Sequence, residues 1–277
     1  MAPSDADFTG SIPQLYDHHM GALLFAPYAA DLALRLSNMA VGDLLETAAG
    51  TGVVTAALAA KLPAPVRITA TDLNQAMLDH AAAKPGLGRV RFQKADAQAL
   101  PFPDAAFDVV VCQFGVMFFP DRGLGFQEAR RVLRPGGRLI FSVWDRLGAT
   151  PVMEAAVIGL QRRYPAHPSW FLERTPCGYH DPKAIGADLR QAGFADFRLE
   201  TVALKGHSPG PLSSATGLCQ GSPMSAEIEA VEPGGLAAAT DAAAAAIAER
   251  CDSGPFEASL QALVIEASKQ RIGQFRT

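Results

Sequence analysis

The stretch LLETAAGTGVVTAALAAKL, residues 44–62, constrains the fold of this chain more than any other. A short apolar run meets a turn carrying Gly50 and Gly52, and an alanine-rich helical run follows. A strand, a glycine turn and a helix start place backbone N–H groups and the positive end of a helix dipole at the carboxyl edge of a sheet. Many chains hold a nucleotide-like cofactor with that shape. The sequence around it must say which cofactor, and for what chemistry.

The unit is the first of a series. Strand-like runs at 43–47, 66–72, 90–95, 108–113 and 138–144 alternate with helical runs at 51–61, 75–84 and 122–133, the last stopped by Arg134-Pro135-Gly136-Gly137. The strand runs are continuously apolar or β-branched, the pattern of a parallel sheet covered on both faces. The chain is therefore expected to form a doubly wound, mostly parallel α/β domain. Residues 12–39 read as one or two helices ahead of the first strand, with Pro13 and Pro27 marking starts or breaks. Beyond residue 144 come a helix at 152–164, a loop rich in proline and aromatics, a helix at 182–192 and a strand at 197–204. HSPGPLSS then breaks the pattern, helical segments follow to residue 250, and 258–268 reads as a closing strand. The expected division is an N-terminal helical flap at 1–40, a cofactor-binding core at 41–145, and at 146–277 the rest of the sheet with lid insertions near 151–180 and 208–252.

Composition narrows the partners. With 49% hydrophobic residues in 277, the chain can bury one large core. A formal net charge of −4 gives no cationic footprint for nucleic acid, and Arg130, Arg131 and Arg134 read as a solvated face. The polar, acidic start MAPSDADFTG does not read as a secretory signal, and the apolar run at 242–248 is too short to span a bilayer. Four cysteines without paired or zinc-type spacing suit a reducing compartment, so a cytoplasmic protein without a metal site is expected.

The glycine spacing bears on the cofactor. A dinucleotide turn wants a third glycine or an alanine after Gly50 and Gly52, and that register lands on Thr55. Acidic residues close the first two strands instead: Glu46, and Asp72, whose position suits a carboxylate accepting both hydroxyls of a ribose. The plain alternatives are turn glycines, helix-capping aspartates and, for Gln113, core packing.

Taken in order, ETAAGTG, TATDLN, KADAQALPFPDAAFDVVVCQFGVMFF and RRVLRPGGRLIFSVW resemble the S-adenosylmethionine (SAM)-dependent methyltransferases of Rossmann-like fold, in the group related to ubiquinone and menaquinone C-methyltransferases. The resemblance covers residues 43–145, about a third of the chain. It implies a seven-stranded sheet and SAM as cofactor. It also implies that Glu46, Ala48, Gly50 and Gly52 line the methionine and ribose end. Asp72 would grip the ribose, Leu73 would lie against the adenine, Asp96 and Ala97 would meet the adenine edge, and Gln113 would close the pocket. Ala48 stands where the family more often has glycine, which implies a slightly tighter turn. Tyr16, in a segment ahead of the first strand where related enzymes place a flap, would touch the methionine end.

Methyl transfer from a sulfonium needs alignment and exclusion of water more than a rich set of catalytic groups. Met117, Phe118, Phe119, Trp170, Phe171 and Tyr179 point to a small apolar or aromatic acceptor, with core packing as the alternative. If a base is needed, His18 or His19 in the flap, and then His180, are the candidates, because His80 reads as solvated and His167 and His207 sit in proline-containing loops. A nicotinamide-dependent oxidoreductase and a SAM-binding protein without catalysis are the competing function classes.

Overall fold

A computed structural model describes residues 12–271, so residues 1–11 of the expected flap lie outside the described residues. In chain order the elements are α1 (Ile12–Leu15), a π-helical segment (Tyr16–Phe25), α2 (Ala26–Arg35), β1 (Gly42–Glu46), α3 (Val53–Lys61), β2 (Val66–Asp72), α4 (Gln75–Ala82), β3 (Arg91–Lys94), β4 (Phe107–Gln113), α5 (Arg122–Val132) and β5 (Leu133–Trp144). There follow α6 (Pro151–Arg163), α7 (Phe171–Arg174), α8 (Pro182–Gln191), β6 (Asp196–Ser208), α9 (Pro211–Gln220), α10 (Met224–Val231), α11 (Leu236–Arg250) and β7 (Phe256–Ser268).

The strands form one seven-stranded sheet in the order β3-β2-β1-β4-β5-β7-β6. All neighbours are parallel except the pairs that β7 makes with β5 and β6. Alternation within each strand feeds two apolar layers. Leu45 and Val110 pack on one face, with α5, α6 and α9, while Leu44, Val109 and Val111 pack on the other, with α2 and α3. Reversal of strand order between β1 and β4 leaves a crevice beyond their carboxyl ends, where ligands bind in open α/β sheets.

Several boundaries move for identifiable reasons. The helix expected from residue 51 starts at Val53, because Gly52 is left-handed at φ 80° and cannot be an α-helical residue. Strand β6 runs to Ser208 rather than 204: His207 and Ser208 still pair with Glu257 and Phe256, and Pro209 is the first residue without a donor. The arginines expected on a solvated face are instead local ties. Arg131 pairs with Glu128 and donates to the Leu100 and Phe102 carbonyls, Arg130 donates to the Gly193 carbonyl, and Arg134 joins Asp43 to Asp108 across the starts of β1 and β4.

The N-terminal segment departs most from an ordinary helix. Residues 16–25 carry i→i+5 bonding, rare and often found at functional sites. In an α-helix of 3.6 residues per turn, Tyr16 and Phe25 would face opposite ways. Here their rings stack, with centroids 4.7 Å apart and planes 10° apart. The alanine-rich α11 packs on α6 at Gly159, where an added Cβ would lie 2.4 Å from the Ala242 carbonyl oxygen, so small residues on both helices permit the close crossing. Among the described residues no helix is long and apolar enough to cross a membrane.

Candidate cofactor and acceptor cavities

The turn after β1 is built from positive-φ residues: Ala48 at 52°, Gly50 at 55° and Gly52 at 80°. Gly52 has a packing reason as well, since a Cβ there would lie 2.8 Å from the Ala81 methyl. Ala48 is a non-glycine residue in the left-handed region, a strained placement rather than merely a tighter turn, and Phe114 at 54° is another. The Asp72 carboxylate holds the turn together. One oxygen accepts from the Gly50 N–H and the other from the Asn74 N–H, both at 2.8 Å. Asp72 is only 7% exposed. Burial raises its pKa, and the hydrogen bonds from Asn74 and Gly50 work against that rise.

These elements enclose a cavity of about 220 Å³ at the carboxyl edge of the sheet. Of the expected cofactor residues, Tyr16, Ala48, Gly50, Asp72, Leu73, Asp96, Ala97 and Gln113 all line it. Glu46 and Gly52 do not. Glu46 sits behind the turn, 1% exposed, with Oε2 accepting from the Thr55 hydroxyl at 2.7 Å. Burial pushes its carboxyl up to about 8; the Thr55 hydrogen bond opposes this and the nearby Asp72 charge adds to it. Sequence reasoning missed Asn74, the N-cap residue of α4, Met77 in its first turn, Ala95 and Gln98 after β3, and Phe114, Gly115 and Pro120. Their position after the ends of β2, β3 and β4 was the available signal. Gln113 donates from Nε2 to the Phe25 carbonyl at 3.1 Å, tying β4 to the N-terminal segment, while its buried Oε1 has no partner.

A second, smaller cavity of about 40 Å³ adjoins the first, with Tyr16, Phe114 and Phe118 common to both walls. Its other lining residues are Met20, Leu24, Phe25, Met117, Trp144, Met153, Phe171, Leu172, Pro176, Leu218 and Ser222. None of these is ionisable at neutral pH. The Ser222 hydroxyl is already committed, donating to the Leu218 carbonyl at 2.6 Å. The candidate acceptor residues thus separate. Met117, Phe118 and Phe171 line this cavity and Phe119 the first, while Trp170 and Tyr179 line neither. Trp170 is buried and stacks on His167, and the Tyr179 hydroxyl donates to Asp188 at 2.6 Å with Arg122 over its ring.

The candidate bases lie apart from both cavities. His18 is exposed and meets His19 edge-on; His19 Nδ1 is 2.8 Å from the Ser213 hydroxyl, and burial and the neighbouring His18 hold its pKa below the ordinary range. His180 Nδ1 is 2.7 Å from the Cys177 carbonyl oxygen. His80 is not a freely solvated ring: its Nε2 is 3.4 Å from Asp17. Tyr16 lies between the cavities, its hydroxyl pKa raised by burial and by the charges of Asp72 and Asp17.

The sheet order and the glycine turn define a doubly wound fold of the nucleotide-cofactor class. A family model described as a methyltransferase domain matches residues 45–141. The chain is 43% identical over 180 residues to a demethylmenaquinone methyltransferase of Deinococcus radiodurans, covering 59% of this chain and 72% of that one. It is 39% identical over 103 residues to the ubiquinone/menaquinone biosynthesis C-methyltransferase UbiE of Geobacter sulfurreducens, covering 36% of this chain and 40% of that relative's length. A phosphoethanolamine N-methyltransferase of Haemonchus contortus, solved with phosphomonomethylethanolamine and S-adenosylhomocysteine, shares the fold with a TM-score of 0.58 at 18% identity, covering 94% of this chain and 57% of that one. The chain belongs to the SAM-dependent methyltransferases, in the group related to the ubiquinone and menaquinone C-methyltransferases. Membership in that family does not favour the nicotinamide alternative, and Thr55 supplies a local reason. Its side chain, hydrogen-bonded to Glu46, occupies the position where a dinucleotide turn keeps a glycine or an alanine.

Proposed function

We propose that this protein transfers a methyl group from SAM to a small, apolar or aromatic acceptor. The observation that carries the proposal is the pairing of cavities: a mixed polar one at the sheet edge, and an apolar one reached past Tyr16, Phe114 and Phe118. The residues of the first suit SAM chemically. Asp72, oriented by the Gly50 and Asn74 backbone N–H groups, presents a carboxylate in the cavity wall that can accept from ribose hydroxyls. The orphaned Gln113 Oε1 is a buried acceptor awaiting a donor, a role suited to an ammonium group. When bound, SAM supplies a methyl on a positively charged sulfur.

The chain's own contribution is alignment and dryness. The aromatic rings common to both cavities hold an acceptor against the cofactor side, and the apolar wall excludes water from the line of attack. No histidine reaches either cavity, so in this reading the acceptor arrives ionised or releases its proton to solvent, and His18, His19 and His180 serve structure. The N-terminal segment acts as a flap over residues 41–145, and the segments near 151–180 and 208–252 as a lid, in a cytoplasmic setting. Calorimetry with S-adenosylhomocysteine, SAM and NAD, followed by labelled SAM with a panel of phenols, quinones and small acids, tests the proposal. Binding of the SAM pair with label transferred to an apolar acceptor is expected. Tight NAD binding without S-adenosylhomocysteine binding would overturn it.

A further inference from the structure

Asp17 is adjacent to Tyr16 in sequence but faces away from both cavities, and it gathers an unusual set of partners. Its Oδ1 accepts from the Thr51 hydroxyl at 2.8 Å and from Lys84 Nζ at 2.5 Å, and its Oδ2 is 3.4 Å from His80 Nε2. Thr51 lies between Gly50 and Gly52 in the turn that frames the cofactor cavity, and it is buried. His80 lies on α4 and Lys84 just past its end; the same helix contributes Met77 to the cavity wall. One carboxylate in the N-terminal segment therefore joins the glycine turn to α4 across the cavity's outer edge. The cluster is only partly open to water, with Asp17 and His80 side chains each 25% and Lys84 22% exposed. Burial would raise the Asp17 pKa, but the hydrogen bonds from Lys84 and Thr51 outweigh that and hold it below the ordinary carboxylate range.

We infer that Asp17 is the latch that fastens the N-terminal segment over bound cofactor, and so acts as a positioning residue for Tyr16 and a determinant of how long cofactor stays. The inference rests on the first cavity being the cofactor site. The geometry accounts for two otherwise unconnected features. The π-helical winding turns Tyr16 and Phe25 to one face, where both border the apolar cavity, and leaves the neighbouring Asp17 directed at Thr51 and α4. The polar anchors elsewhere on the segment, Gln113 to the Phe25 carbonyl and His19 to Ser213, hold its far end and its lid side. Asp17 ties its near end to the glycine turn and to α4. With the latch open, the first turn of the segment around Tyr16 can loosen and expose the cavity while Met20, Leu23 and Leu24 stay buried in the core; with it closed, Tyr16 is held between cofactor and acceptor.

The test uses S-adenosylhomocysteine as the probe on the full chain. Asp17→Asn and Lys84→Gln should each weaken its binding by about tenfold, the scale of one charge-assisted hydrogen bond, and speed its release by a similar factor. The double variant should be no weaker than the weaker single one, because both remove the same link. Lys84→Arg should restore affinity, and bound S-adenosylhomocysteine should protect residues 12–19 from proteolysis in the wild type but not in Asp17→Asn. Should Asp17→Asn fail to fold, Lys84→Gln and its arginine rescue carry the same test. Wild-type affinity and release in the single variants, or strictly additive losses in the double, would overturn the latch while leaving the cofactor reading intact. A wild-type protein that does not bind S-adenosylhomocysteine at all would overturn both.

Discussion

The two adjoining cavities are built in opposite ways. The first cavity, proposed for the cofactor, takes its polar groups from strand ends and the turns that follow them: Gly50 after β1, Asp72 closing β2 and Asn74 after it, Asp96 after β3 and Gln113 closing β4. Backbone hydrogen bonds fix these positions, so a one-atom change there removes a defined contact. The apolar cavity draws on the π-helical segment, residues just after β4, the end of β5, α6, α7 and α9, and it is shaped mainly by side-chain packing. Three methionines stand in its wall, and such unbranched, polarisable side chains adapt to what they meet. Cofactor recognition should be rigid and acceptor recognition pliable.

The largest expected effect breaks that comparison directly. Asp72→Ala removes the carboxylate that organises the turn and faces the cavity, and should weaken S-adenosylhomocysteine binding by about 1.5–3 kcal/mol, roughly ten- to hundredfold. On the other side of Tyr16, Leu218→Phe fills part of the apolar cavity. It should lower kcat/KM for the acceptor by about tenfold, an overpacking cost at the low end of 1–3 kcal/mol, with cofactor affinity unchanged. Calorimetry and steady-state kinetics on the two variants check the separation. Acceptor selectivity lost in Asp72→Ala alone, or cofactor binding lost in Leu218→Phe, would show that the cavities are one site energetically.

The same contrast explains what could be read from the chain. Strand ends recur at fixed places in an alternating α/β pattern, so Asp72, Asp96 and Gln113 could be placed at one sheet edge before any coordinates, and all three line the cavity. Glu46 shows the limit of that logic: it also ends a strand, yet it points under the turn to Thr55, because strand position fixes the edge but not which face a side chain takes. The apolar cavity has no periodic signature. Trp170 and Phe171 are neighbours in sequence, and only Phe171 reaches it. The π-helical winding of residues 16–25 was hidden for a related reason. Its effect is to bring together residues nine apart, a spacing that helical periodicity assigns to opposite faces. The Asp17 cluster depends on that winding and on the loop that sets Thr51 beside it, so His80 read as solvated.

Glu46 offers a smaller and pH-dependent effect. A carboxyl held at about 8 in the folded chain against an ordinary 4.5 is a group that folding keeps neutral. Its raised pKa means that the folded state is fully tolerated below the ordinary value and is progressively destabilised as pH climbs towards 8, because an ionised Glu46 would be buried beside Asp72. Glu46→Gln keeps an oxygen to accept from Thr55 and cannot ionise. The apo variant should melt with the wild type at pH 5 and above it at pH 9. Parallel melting curves across that range would show that Glu46 ionises without penalty, through a path to water or a cation that offsets its charge.

The smallest effect concerns the departure at Ala48, and it is set by two opposed terms of similar size. A left-handed conformation costs an L-residue other than glycine, asparagine or aspartate about 1–2 kcal/mol, and Ala48→Gly at φ 52° relieves that strain. Glycine also frees the unfolded chain, which costs about 0.4–1 kcal/mol. The methyl that would be lost faces Gly115, where an added Cβ would lie only 2.4 Å away, and it packs partly buried against the core, so its loss removes some contact as well. The balance favours the variant by less than about 1 kcal/mol, roughly a 2 °C rise in melting temperature for a chain of this size. Cofactor affinity should move by less than threefold, since the backbone donors of the turn stay in place. A marked loss of stability would mean that the Ala48 methyl holds the turn closed against Gly115 and is a packing element in its own right; calorimetric melting of the apo protein distinguishes the two.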